Sequence, residues 1–143
     1  MRKYPDRPIV AVGAVILDGN QVLLIQRGQE PHKGEWSLPG GVVELGETLA
    51  AALVREVREE TSLDVIAGEV VEVLDSIRRD AAGRAEYHYI IVDYACRLCS
   101  DAPAVAVHGT DAAGVRWAAI DDLERLGVTP AAIAVIRKAC EMR

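Results

Sequence analysis

The run Ile9-Val10-Ala11-Val12-Gly13-Ala14-Val15-Ile16-Leu17 limits the fold more than any other stretch. Apart from one glycine every residue is aliphatic, and the run is short and rich in valine and isoleucine. It therefore reads as a strand covered on both faces. A strand of that kind needs one layer of structure above the sheet and another below. Asp18-Gly19-Asn20 is a hairpin turn signal, and Val22 to Arg27 is the returning strand. Gly28 to Glu35 is a loop containing Pro31, His32, Lys33 and Gly34, after which Trp36-Ser37-Leu38 runs extended into Pro39-Gly40-Gly41. The pattern then predicts a helix from Glu47 or Thr48 to about Thr61, and a strand over Val65 to Ile77, broken near Gly68. A polar turn over Arg78 to Arg84 leads into the longest strand, Ala85 to Leu98, and a last strand covers Val115 to Ile120. A short helix over residues 121–126 follows. Thr129-Pro130, an N-cap followed by proline at the first helical position, announces a helix over Ala131 to Glu141. Strands cluster between two helices instead of alternating with them. The expectation is an α+β domain spanning residues 1–143, with a mixed central sheet between helices.

Composition narrows the function. With 143 residues, half of them apolar and about a quarter charged, the chain fits one soluble domain with a real core. A net charge of −6 and a pI of 5.1 argue against a nucleic-acid duplex as partner, since such surfaces carry a basic stripe. A small phosphorylated ligand needs only a local cation and stays open. Three cysteines, an odd number, and a polar start at Met1-Arg2-Lys3-Tyr4 predict a cytoplasmic protein without disulfides. No apolar run reaches the length of a membrane span. Phenylalanine is absent, so the core is expected to be aliphatic with help from Trp36, Trp117 and four tyrosines.

The chemistry concentrates in Gly40 to Leu63. Glu56, Glu59 and Glu60 fall within about one helical turn, where like charges cost a few tenths of a kcal/mol per pair. At about 100° per residue, Leu49, Ala50, Leu53, Val54 and Val57 form a stripe that should face the sheet. The three glutamates lie along its edge, with Arg58 and Ala51 on the solvated side. An ordinary acidic helix end is the competing reading, but acid near a helix C-terminus opposes the macrodipole. Hard oxygen donors clustered in this way suit Mg²⁺ or Mn²⁺ better than zinc. Pro39-Gly40-Gly41 and Gly46 let backbone approach a ligand closely. A divalent cation, close backbone and a glutamate-lined groove are what pyrophosphate chemistry needs.

These residues resemble the signature of the Nudix hydrolases, a family that includes MutT-like and ADP-ribose pyrophosphatase-like members. The match runs through Gly41, Glu47, Arg55-Glu56-Val57 and Glu59-Glu60 to Ser62-Leu63, with serine where the family has glycine. Serine costs about 1–2 kcal/mol in a left-handed turn, or the turn takes another geometry. Trp36-Ser37-Leu38-Pro39-Gly40-Gly41, Glu44, the opening strand pair and Arg116-Trp117 also resemble the family layout, so nearly the whole chain is covered. The resemblance implies an α/β/α sandwich and Mg²⁺-dependent hydrolysis of a nucleoside diphosphate linked to another group. Glu56, Glu59 and Glu60 would ligate metal, and the Gly40 carbonyl could add a ligand. Arg55 would orient a carboxylate, with Glu59 as its partner, and Glu47 would hold loop to helix or reach the metal through water. Glu59, Arg55 and Glu47 would be the catalytic set, and the base would be either a box glutamate or an acid of the later loop, which offers Asp101 and Asp111, with Asp111 the choice there because it lies shortly before Arg116-Trp117. A homodimer is a further implication.

Outside the signature, Arg27 is a candidate phosphate contact, Gly40 and Gly41 are candidate substrate-facing backbone, and Tyr87 is a candidate base platform. For each there is a plainer alternative: a solvated strand end, a tight turn, core packing. Trp36 reads as packing, and His32, His108 and Lys33 as solvated. Cys96 and Cys99 should fall on opposite faces of a strand, which argues against zinc. Three functional readings compete. They are a pyrophosphohydrolase acting on ADP-ribose, nucleotide-sugars or nucleoside triphosphates, a silent nucleotide-binding or regulatory module of the same fold, and an interaction domain with an acidic surface helix.

Overall fold

The computed structural model describes residues 3–30, 32–100, 109 and 112–143. Its elements follow the chain as β1 (Ile9–Asp18), β2 (Gln21–Arg27), β3 (Trp36–Ser37), β4 (Gly40–Val42), α1 (Leu49–Thr61), β5 (Val65–Arg79), β6 (Ala85–Leu98), β7 (Ala112–Ala119) and α2 (Pro130–Met142). The strands among the described residues form one seven-stranded mixed sheet, ordered β3-β2-β1-β6-β5, with β4 also on β1 and β7 also on β2. β1 and β6 run parallel, from Ile9 opposite Tyr89 to Ile16 opposite Cys96. The other ladders are antiparallel. The α+β sandwich with a mixed sheet is therefore as the sequence implies.

β1 is covered on both faces, and alternation along it sorts two cores. Val15 packs with Val22, Leu24, Ile133 and Ile136 under α2. Val12, Ala14 and Ile16 pack with Leu53 and Val57 under α1. The far edge of β1 is shared: Ala11, Val12 and Gly13 pair with β4, while Leu17 and Asp18 pair with β2. This split sets the glycine-rich β4 at a sheet edge, next to α1.

Four boundaries differ from expectation. β5 is bulged rather than broken at Gly68, where a Cβ would stand 2.6 Å from the Ala95 carbonyl oxygen, and the strand continues to Arg79. β7 begins at Ala112 because it pairs with β2 as far as Arg27. The helix expected over residues 121–126 is a single 3-10 turn, Ile120–Asp122, followed by turns that end at Gly127, with φ +76°. On α1 the buried residues are Ala52, Leu53, Val57 and Thr61, while Ala50 is exposed. The stripe is rotated from the expected one, which turns Glu56 and Glu60 inward instead of leaving them on its edge.

Candidate active site

α1 starts cleanly. The Thr48 hydroxyl accepts a hydrogen bond from the Ala51 amide at 3.1 Å, as an N-cap should. It ends on Ser62, which does adopt the left-handed conformation, with φ 64° and ψ 13°. Of the two outcomes open to a serine there, the strained one holds. The Ser62 amide donates to the Arg58 carbonyl at 2.9 Å, and buried Thr61 caps the end by donating to Val57 and accepting from the Leu63 amide. Gly109 crosses this end so closely that a Cβ would lie 2.1 Å from the Glu59 carbonyl oxygen.

Arg55 is the centre of the site. Its guanidinium holds Glu47 as a fork, Nε to Oε2 at 2.7 Å and Nη2 to Oε1 at 2.8 Å. Nη1 donates to Glu56 at 2.9 Å and to Glu59 at 3.3 Å, and Nη2 also donates to the Val42 carbonyl at 3.1 Å. The expected partner, Glu59, is thus its longest contact. The principal partner is Glu47, because planar bidentate pairing is geometrically stronger than one bond along the helix. Glu47 also accepts from the Glu44 amide at 2.9 Å, so the loop, β4 and α1 are tied at one point. The guanidinium holds the Glu47 carboxyl well down, at about 2.

The carboxylates are not equivalent. Glu56 lies over β4, and a Cβ on Gly41 would stand 2.4 Å from its carboxyl carbon. Its side chain is 16% exposed, that of Glu59 58%. Burial pushes the Glu56 carboxyl up and Arg55 opposes the rise, while Glu59 and Glu44 add to it. Glu60 reaches the same strand and accepts from the Gly40 amide at 2.7 Å. Gly40 itself has no room for a side chain, since a Cβ would meet the Val12 carbonyl oxygen at 2.0 Å. Both glycines are thus required by close approach. One guanidinium against four glutamates leaves the cluster anionic. Among the described residues, Oε2 of Glu56 and Oε1 of Glu59 carry no hydrogen-bond partner. These hard, anionic oxygens fit a divalent cation in chemistry. As they stand, no three acids among the described residues converge closely enough to enclose one.

The remaining candidates lie apart from Arg55 in the fold. Arg27 is half-buried at the end of β2, where the ladder to β7 shifts register and its backbone pairs with Glu35 and Gly34. Tyr87 is 4% exposed, so its ring is packed and offers no open face for a base, which corrects the expected platform. Trp36 packs against the α2-side core under the Arg116 guanidinium, 5.5 Å from the ring centroid. Cys96 is buried, its thiol pushed up to about 12, Cys99 is exposed, and neither is in a disulfide. Asp101, His108 and Asp111 lie outside the described residues. The sequence reading missed Asp93, a buried acid in β6. Its signal was there: one aspartate inside the aliphatic run Ile90-Ile91-Val92-Asp93-Tyr94-Ala95.

The Nudix domain model matches residues 7–139. The chain belongs to the Nudix family. An ADP-ribose pyrophosphatase of Methanocaldococcus jannaschii is 43% identical over 86 residues, which are 60% of this chain and 51% of that protein. A putative ADP-ribose pyrophosphatase of Bacillus subtilis is 36% identical over 95 residues, 66% of this chain and 43% of the relative. The chain thus spans about half the length of these curated relatives. A MutT Nudix hydrolase structure from Burkholderia pseudomallei superposes with a TM-score of 0.75 at 28% identity, covering 93% of this chain and 98% of that one. The Nudix fold and the Arg55-centred acid cluster therefore belong together in one chain.

Proposed function

We propose that this Nudix chain is a divalent-cation-dependent pyrophosphohydrolase whose substrate is a nucleoside diphosphate linked to another group, with ADP-ribose the first to test. The observation that carries the reading is the Arg55 network, which ties Glu47, Glu56, Glu59 and the Val42 carbonyl together beside the glycine strand β4. The names of the two curated relatives favour ADP-ribose over a nucleoside triphosphate. Glu56, Glu59 and Glu60 would hold Mg²⁺ or Mn²⁺. When bound, the ion would neutralise phosphate oxygens and acidify a water. Arg55 and Glu47 position the carboxylates, and the backbone of Gly40 and Gly41 would contact the diphosphate. Glu59 is the proposed base, since it is the most exposed of the acids that Arg55 holds and keeps one oxygen unengaged. Water adds to one phosphorus of ADP-ribose and the bridging bond breaks, giving AMP and ribose 5-phosphate.

The test is product chromatography over ADP-ribose, nucleotide-sugars and nucleoside triphosphates with Mg²⁺ or Mn²⁺, beside Glu59→Gln and Glu60→Gln. Turnover of ADP-ribose with a loss of about 100-fold or more in Glu59→Gln is expected. A wild type that binds nucleotides and cleaves none of them would leave the silent-module reading in its place. The three free cysteines favour a reducing, cytoplasmic setting. No helix among the described residues is long and apolar enough to cross a membrane. A homodimer is also proposed, on the exposed Ile66, Val70, Val73 and Ile77 of the edge strand β5.

A further inference from the structure

The last carbonyls of a helix have no partner inside it and must find one elsewhere. At the end of α1 the Arg58 carbonyl takes the Ser62 amide at 2.9 Å, and the Glu60 carbonyl takes the Gly109 amide at 3.1 Å. Just past the helix, the Asp64 carbonyl takes the Cys99 amide at 3.0 Å. Main chain that follows β6 therefore meets the end of α1 at two points, Asp64 and Glu60. The Gly109 contact leaves no room for a side chain. A Cβ there would stand 2.1 Å from the Glu59 carbonyl oxygen, 3.2 Å from its carbonyl carbon and 3.8 Å from the Glu60 Cα. All three atoms are backbone, so none can swing aside as a side-chain tip would. Even alanine would force Gly109 and the helix apart by about 1 Å or more to reach ordinary contact. The two residues that Gly109 touches carry acids of the cluster. Glu60 is held at both ends, its carboxylate by the Gly40 amide at 2.7 Å and its carbonyl by Gly109. Glu59 is held through its side chain only by Arg55, at 3.3 Å, and is 58% exposed, so its place depends on the backbone that carries it. Acid at a helix C-terminus opposes the macrodipole, and an amide donated to the Glu60 carbonyl offsets part of that repulsion.

We propose that Gly109 is a positioning residue: its main chain pins the last turn of α1 so that Glu59 and Glu60 present their carboxylates beside Glu56 to a divalent cation. The inference rests on the pyrophosphohydrolase reading for what those acids hold. The probe is Mn²⁺ alone, titrated calorimetrically into the full chain and into Gly109→Ala, with melting curves and ADP-ribose hydrolysis followed on the same samples. Gly109→Ala should weaken Mn²⁺ binding by about 10-fold or more and lower kcat at saturating Mn²⁺ by about 10-fold or more. A packing defect alone would lower the melting midpoint and leave the Mn²⁺ affinity of the folded variant as it was. A second measurement needs no substitution. Coupling between two sites is reciprocal, so saturating Mg²⁺ should slow hydrogen exchange at the Gly109 amide of the wild type by about 10-fold. The Gly83 amide, bonded to the Asp80 carbonyl at 3.0 Å in the turn between β5 and β6, should not change. Mn²⁺ affinity within about twofold of wild type in folded Gly109→Ala, exchange at Gly109 that ignores Mg²⁺, or a wild type that binds no Mn²⁺ would each overturn the inference. Should Gly109→Ala fail to fold, the exchange measurement decides. A wild type that binds Mn²⁺ and cleaves no nucleotide sinks the pyrophosphohydrolase reading alone, while the Mn²⁺ affinities still decide Gly109.

Discussion

Arg55 makes contacts that no other side chain could reproduce. It bonds Glu47, Glu56, Glu59 and the Val42 carbonyl from one planar group. Lysine would keep the charge and lose the fork. We expect Arg55→Lys to cost about 2 kcal/mol of stability, seen as a melting midpoint lower by about 4–8 °C. Activity should fall about 100-fold, because the carboxylates lose their common reference point. An unchanged melting curve would mean that the network does not hold the loop. Asp93 supplies the opposite case, a group that costs stability where it sits. Its folded value near 6 lies above the ordinary 3.8. The folded chain therefore binds the proton more tightly than the unfolded chain. Its contribution to stability is fullest below pH 4 and is lost as pH rises through 6, by about 3 kcal/mol. Urea unfolding should show that decline in wild type, and Asp93→Asn should be the more stable protein at pH 7. Glu47 has the reverse sign. With its folded value near 2, its contribution is present above the ordinary 4.5 and goes only as pH falls towards 2.

At the scale of elements, α1 carries the fewest surprises and the most instructive one. Its start, its end and its acids were legible because capping, propensity and periodicity are local. The rotation of its buried stripe was not. Whether Ala50 or Ala52 is covered depends on how β4 lies under the helix, and β4 is placed by pairing with β1, far away in sequence. For the same reason the Glu47–Arg55 fork was hidden behind the simpler one-turn pairing with Glu59. The long strands were readable from composition, while the β5 bulge was set by the Ala95 carbonyl on its neighbour. Ser62 ends α1 in a conformation that glycine would take without strain. Ser62→Gly should stabilise the chain by about 0.5–1 kcal/mol, the strain relieved less the extra freedom of the unfolded chain. Thermal melting should show a rise of about 1–4 °C. A fall would mean that the serine contributes more through its side chain than its backbone costs.

At the scale of the molecule, the sheet has two unlike sides. The β4 side holds the acids, and the β5 side presents apolar Val73 and Ile77, which share a face by alternation, to solvent. Edge strands of that kind invite pairing. Sedimentation should give about twice the chain mass of 15.4 kDa, and Val73→Lys should return the protein to single chains. A wild type that sediments as one chain at all concentrations removes the proposed dimer. The pairing pattern reaches further still. β1 closes on β6, with Ile9 opposite Tyr89, and β2 closes on β7, with Gln21 opposite Ala119. Neither opening strand finds its main partner until most of the chain exists, and such distant pairings form slowly. While the polypeptide is being made, the aliphatic run from Ile9 to Leu17 must leave the ribosome naked and wait for residues that are not yet synthesised. The stretch that fixes the finished fold is, during biosynthesis, the one most in need of a chaperone.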